Sequence, residues 1–178
     1  IIHSLKLAPS DEILMTNHEY GALIRAWNTI SYKTGVKIIQ QEIPIPLISK
    51  EKFVNDFWAG VSDKTKVIFI SHITSPTALI FPVKEIIKMA KSKGILTIVD
   101  GAHVPGHIPL NINDLGCDFY TGALHKWLCM PKGTTFLYVK KAHQKWVSPI
   151  VKSWGEEGDD PGPSNFLKEF QWQGTRDM

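Results

Sequence analysis

The sequence predicts an α/β protein with a mostly parallel central sheet flanked by helices. Three observations carry that expectation. Strand-length apolar runs, KVIFIS (66–71) and ILTIVD (95–100), are rich in β-branched residues. They lack the polar alternation of a sheet with one wet face, so they read as strands buried on both sides. Between them Val83, Ile86, Ile87 and Ala90 fall at i, i+3, i+4 and i+7, with Lys84, Glu85, Lys88 and Lys91 turned away. That is the stripe of an amphipathic helix, and strand, helix, strand in this order makes a βαβ unit with parallel strands. Third, 178 residues that are 43% hydrophobic and 21% charged compose a globular chain able to bury one sizeable core.

The other elements follow in order. EILMT (12–16) is a short strand, and residues 20–35 a helix that stops at Gly35, a C-cap glycine. VKIIQQEIP (36–44) is a strand stopped by Pro44. Residues 49–61 form a helix that starts at an N-cap Ser49 and puts Phe53, Val54, Phe57 and Trp58 on one face. Gly94 closes the βαβ helix, and CDFYT (117–121) and TTFLYV (134–139) add two strands. GEEGDDPGP (155–163) reads as an acidic surface loop rather than a linker. The apolar opening resembles the tail of a helix, residue 1 is not methionine, and the chain closes on QWQGTRDM (171–178). A piece of a longer polypeptide is therefore expected.

Composition narrows the partners. A dispersed net charge of +3 does not make a nucleic-acid surface. No run reaches the roughly 20 apolar residues of a membrane span, and the opening has no signal-peptide layout. Cys117 and Cys129 are too few for a disulfide framework, which places the chain in a reducing cytoplasm.

Open parallel sheets bind ligands outside the carboxyl ends of their strands, and there the polar residues collect. ILMT runs into His18 and Tyr20, VIFIS into His72, Thr74 and Ser75, LTIVD into Asp100 and His103, and DFYT into His125 and Lys126. Each has an ordinary alternative. Asp100 fits a cap as well as a ligand, and His103 and His125 fit half-buried packing. Tyr20 fits a core aromatic, and Lys126 a solvated charge. His72, His103 and His125 compose a metal-binding alternative, which lacks the i, i+4 helix spacing of metal motifs. A lysine and an aspartate on neighbouring strand ends suit pyridoxal phosphate. The amine forms a Schiff base with its aldehyde, and the acid keeps its pyridine nitrogen protonated.

The segment DGAHVPGHIPLNINDLGCDFYTGALHKWLCMPKGTTFLYV (100–139) resembles the core of class V aminotransferase-fold enzymes, most of all the isopenicillin N epimerase-like branch, related to the cysteine desulfurases. TNHEYGA (16–22), SHITSPTALIFPV (71–83) and QGTRD (173–177) match the same branch in the same order. The resemblance implies the large domain of a fold type I pyridoxal-phosphate enzyme over residues 1–178. An upstream phosphate loop and a C-terminal small domain would lie outside that span. It implies an enzyme acting on an amino-acid substrate through an external aldimine and proton transfer at the α-carbon. Desulfurase, transaminase and lyase chemistry, or a catalytically incomplete cofactor-domain module, are the alternatives. Lys126 would carry the Schiff base, buried at the pocket edge, and Asp100 would pair with the pyridine nitrogen. His103 would meet the 3-hydroxyl, and His125 would donate to the phosphate. Tyr20 would stack on the ring, with His18 as second choice, and His72 would stand near the 3-hydroxyl and substrate. Thr175 would reach the phosphate of a neighbouring subunit in a homodimer. Ala123 replaces a Ser or Asn phosphate donor of the relatives. Arg176 is expected to pair with Asp177 or a neighbour, and both cysteines to be packing residues.

Overall fold

The structure is a computed structural model that describes residues 1–156 and 164–171. The chain folds into two compact units, one of Leu7–Tyr138 and one of Ile1–Lys6 with the described residues from Val139 onward. The first unit holds β1 (Glu12–Thr16), α1 (Gly21–Thr34), β2 (Lys37–Gln41), α2 (Lys50–Trp58), β3 (Thr65–Ser71), α3 (Val83–Ser92), β4 (Leu96–Asp100), α4 (Ile112–Leu115) and β5 (Phe119–Ala123). It is followed by β6 (Thr135–Val139). In the second unit a helix α5 spans Asn165–Gln171, and the Ser4 hydroxyl meets the Ser148 carbonyl at 3.2 Å.

The six strands form one sheet in the order β2-β1-β3-β4-β5-β6. The pairs β1–β2, β1–β3, β3–β4 and β4–β5 are all parallel, as the apolar strand runs require. Both faces are covered. On one, Leu14, Ile68, Ile70 and Val99 pack with Phe53 and Phe57 of α2 and with Val83, Ile86, Ile87 and Ala90 of α3. The four α3 residues are at most 3% exposed, and such burial stabilises by roughly 2 kcal/mol per large aliphatic side chain. On the other, where strand alternation turns Phe69, the buried Trp27 of α1 meets it at 5.6 Å between ring centroids.

The caps hold. Gly35 is left-handed at φ 77° with its N–H on the Ser31 carbonyl, and the Ser49 hydroxyl accepts from Lys52 N at 3.1 Å. Boundaries differ in places. The second helix ends at Trp58 rather than 61 and β2 at Gln41 rather than 44. β5 runs from Phe119 to Ala123 instead of 117–121. Asp118 accounts for its late start, because its carboxylate accepts from Thr97 N at 3.0 Å where a strand bond would stand. The opening apolar run is a 3-10 turn over Ile2–Ser4, not an α-helical tail. Of the acidic loop, residues 155–156 belong to a 3-10 turn and residues 157–163 lie outside the described residues.

Register positions the site. Ser71 pairs with Asp100 and Asp100 with Thr121, so β3 and β4 end level while β5 runs two residues further, to Ala123. The ladder continues one step past them, through His72 N to the Asp100 carbonyl (2.8 Å) and Gly101 N to the Thr121 carbonyl (2.9 Å). From β1 the chain goes to β2 on one side and then to β3 on the other. The crevice between the ends of β1 and β3 is thus the topological switch point where such sheets bind ligands.

Candidate functional site

β4 delivers Asp100, 8% exposed, and the chain turns at once because Asp100 Oδ1 accepts from Ala102 N at 2.9 Å. The capping alternative is therefore met by one carboxylate oxygen. Gly101 is required there, since a Cβ would lie 2.1–2.2 Å from the Tyr120 ring. The turn brings half-buried His103 to Lys126, with Nε2 and Nζ 3.0 Å apart. Burial lowers the His103 pKa, the Lys126 charge lowers it further, and Asp100 pulls the other way. Asp100, His103 and Lys126 thus converge electrostatically.

Lys126 is exposed, which corrects the expectation of a buried amine. The apolar run after it forms a surface loop, with Trp127 54%, Leu128 49% and Met130 47% exposed. Cys129 in that loop is exposed as well, at φ 54°, and is not a packing residue, whereas Cys117 is buried. His125 is half-buried, its Nδ1–H donating to the Thr134 carbonyl at 3.0 Å. Its Nε2 is then a donor only on a protonated ring. Ala123 is buried at the end of β5.

His72, 8% exposed, follows β3 and sits 3.0 Å through Nδ1 from the Tyr120 hydroxyl. Burial pushes its pKa down to about 4 and raises that of the Tyr120 phenol. The phenol therefore keeps its proton and His72 is neutral, and the 3.0 Å contact is a hydrogen bond between two uncharged groups. His18, also buried, turns Nε2 to the Ile43 carbonyl at 2.8 Å and packs edge-on to Phe81. Tyr20 is 51% exposed at the start of α1, so it is not a core aromatic. Thr175 and Arg176 lie outside the described residues. Among the described residues no group of three or more His, Cys, Asp or Glu is arranged to hold a metal ion.

Sequence reasoning missed Glu19. Only 4% exposed, it spans the switch-point crevice. Its Oε1 accepts from Thr16 Oγ1 (2.6 Å), and its Oε2 from Ser71 Oγ (2.6 Å) and Ser71 N (2.9 Å). Burial raises its pKa to about 7 against the pull of these donors, and Asp100 adds to the rise. The available signal was its place, an acid directly between His18 and Tyr20 at a strand end.

The carboxyl edge of a parallel α/β sheet carries an acid, an amine and imidazoles, and the fold is that of the large domain of fold type I pyridoxal-phosphate enzymes. The chain belongs to the aminotransferase class-V family, a family of pyridoxal-phosphate enzymes, whose model matches residues 1–159. It is 32% identical to an isopenicillin N epimerase of Amycolatopsis lactamdurans over 97% of this chain and 46% of that protein. It is 28% identical to a probable chloroplastic L-cysteine desulfhydrase of Arabidopsis thaliana over 94% of this chain and 36% of that protein. The fold matches the cystine C-S lyase C-DES with a TM-score of 0.79 at 23% identity, covering 86% of this chain and 41% of that one. An Escherichia coli cysteine desulfurase matches with 0.73 at 24%, covering 85% and 37%. The chain spans about half the length of the curated epimerases it matches.

Proposed function

We propose that this chain forms the cofactor-binding part of a pyridoxal-phosphate enzyme that acts on an amino acid by moving the α-carbon proton, in the manner of an isopenicillin N epimerase. The 3.0 Å approach of Lys126 Nζ to His103 Nε2, beside Asp100, carries the reading. The residues fit the group. Asp100 has one oxygen in the turn and one left for a pyridinium N–H, Lys126 offers an accessible amine, and His103 adds a polar ring nitrogen. When bound, pyridoxal phosphate supplies an electron-accepting ring that stabilises negative charge at the substrate's α-carbon. With the group bound, Asp100 would keep the ring nitrogen protonated, Lys126 would hold the aldehyde and move the α-proton at Nζ, and His103 would orient the amine. His125 would bind the phosphate and Thr175 that of a neighbouring subunit, Tyr20 would cover the ring with His18 as the second choice, and the neutral His72 would orient substrate. The exposed Tyr20 and the Trp127 loop fit a homodimer that closes the site. Two free cysteines fit a reducing cytoplasm.

Cysteine desulfhydrase or desulfurase chemistry is the second reading, favoured by the relatives so named. Transaminase or other lyase chemistry starts from the same proton transfer, and a cofactor-domain module without turnover would keep only the binding residues. The test is the visible spectrum with added pyridoxal phosphate, followed by borohydride reduction and peptide mass mapping. Pyridoxyl label on Lys126, absent in Lys126→Ala, supports the assignment. Label spread over surface lysines, or none, overturns it. Product analysis with L-cysteine and with other amino acids then separates the two reaction classes.

A further inference from the structure

Tyr120 has no part in the reading above, yet it carries a hydroxyl into the core. The side chain is fully buried on β5, in the cluster that holds Phe81, Val99 and the α3 stripe. Its ring stacks on that of Phe136 at 6.2 Å between centroids and 5° between planes, a contact that a phenylalanine would make equally well. A buried hydroxyl costs stability unless it is bonded. Among the described residues this one has a single partner, Nδ1 of His72 at 3.0 Å.

The backbone makes room for that contact. Tyr120 pairs with Val99, so Gly101 lies two residues further along the neighbouring chain. A Cβ at Gly101 would stand 2.1–2.2 Å from Cε1, Cζ and the hydroxyl oxygen of Tyr120, so the polar end of the ring lies against Gly101. From β5 the side chain thus crosses the end of β4 to the residue that follows β3, and the two rings meet edge to face at 87°. The contact takes one of the two imidazole nitrogens. Nε2 has no partner among the described residues, and it is not among their buried unpaired atoms, of which Trp27 Nε1 is the only one. Nε2 therefore reaches the surface, at the sheet edge where the His72 N–H meets the Asp100 carbonyl. Burial keeps the ring uncharged, so what it offers there is a neutral polar atom.

We propose that Tyr120 is a positioning residue for His72: its hydroxyl holds Nδ1 in the core and so turns Nε2 toward a ligand at the carboxyl edge of the sheet. The proposal rests on the cofactor reading only for what Nε2 meets, which is then the ring hydroxyl of pyridoxal phosphate.

Tyr120→Phe removes one oxygen and keeps the stack on Phe136. Nδ1 would then face an apolar ring edge, and a half-turn about χ2 relieves the unpaired nitrogen by putting the Cδ2–H in its place. Proton NOE spectra of the cofactor-free chain read the direction of the ring, and His72→Gln assigns its signals. The contact between Hδ2 of His72 and the ring protons at position 120 should be weak in wild type and strong in Tyr120→Phe. An unchanged pattern in a variant that is folded by near-UV circular dichroism overturns the proposal, because packing alone would then hold the ring. A second arm titrates pyridoxal phosphate by absorbance. Tyr120→Phe should weaken binding about fivefold, the equivalent of one neutral hydrogen bond, and should have no effect in a His72→Ala background. Equal losses in both backgrounds overturn the proposal as well. A wild-type chain that takes up no cofactor fails the cofactor reading instead, and the NOE arm still decides the direction of the ring.

Discussion

Replacing Glu19 with Gln should change how stability depends on pH more than it changes stability itself. The wild-type carboxyl is 4% exposed and has its pKa raised from 4.5 to about 7, chiefly by burial. The folded state therefore holds a proton that the unfolded chain releases between those values. The stabilisation is complete below pH 4.5 and is lost as pH rises through 7, a swing of roughly 3 kcal/mol. His72 works in the opposite sense. Its pKa falls from 6.5 to about 4 through burial, so the unfolded chain takes up a proton that the folded state refuses. Its contribution is complete above pH 6.5 and is lost as pH falls through 4, again by roughly 3 kcal/mol. Between pH 4.5 and 6.5 the two slopes cancel. Wild type should be nearly flat there, Glu19→Gln should gain stability with rising pH, and His72→Gln should lose it. The glutamine amide resembles the protonated acid, with one acceptor and one donor end. The variant should therefore lie about 1 kcal/mol below wild type at pH 5 and about 1–2 kcal/mol above it at pH 7.5. Urea unfolding followed by far-UV circular dichroism at half-unit pH steps measures this. Parallel curves for wild type and Glu19→Gln from pH 5 to 7.5 would refute the reasoning, because they require Glu19 to have the same proton affinity folded and unfolded.

Three further outcomes follow from the site. Asp100→Asn keeps the acceptor for Ala102 N and so keeps the turn. Pyridoxal-phosphate affinity by absorbance titration should change little, while α-proton exchange of an added amino acid in D2O falls by about two orders of magnitude. Gly101→Ala drives a methyl into the Tyr120 ring at 2.1–2.2 Å and disturbs its bond to His72, so the urea midpoint should drop by the equivalent of about 2–3 kcal/mol. Ser49→Ala removes the acceptor for Lys52 N and should cost about 1 kcal/mol with no effect on cofactor titration.

The βαβ unit was legible because burial on both faces leaves a continuous apolar run, and one-sided helix burial leaves a 3.6-residue period. The strand-end cluster was legible because parallel sheets place their ligands at one edge. Glu19 was not. An acid after a strand reads as exposed, and what buries it is Ser71, 52 residues further along the chain. The exposure of Lys126 was hidden for the reverse reason. WLCMP reads as core by composition, yet three of its apolar side chains face outward in a loop. α4, four residues from Ile112 to Leu115, is too short for any period, and its local marks are an Asn111 side-chain cap and a left-handed Gly116 at its end.

The neighbours of β1 also set an order of events in time. Glu12 meets Lys37 on one side, but on the other Ile13 must wait for Val67. A chain growing from its N-terminal end can thus form the β1–β2 pair while one flank of β1 stays bare, and non-local closures of this kind are slow. Until β3 arrives, Glu19 lacks both Ser71 donors and stands in water as an ordinary acid. The docking of β3 is therefore the moment at which this carboxyl is sealed in. In a His72→Gln chain, where no imidazole gives up a proton on folding to offset it, the same event draws a proton out of solution between pH 4.5 and 7, so a fast pH-indicator dye in a refolding mixture of that variant would time the closure of the sheet.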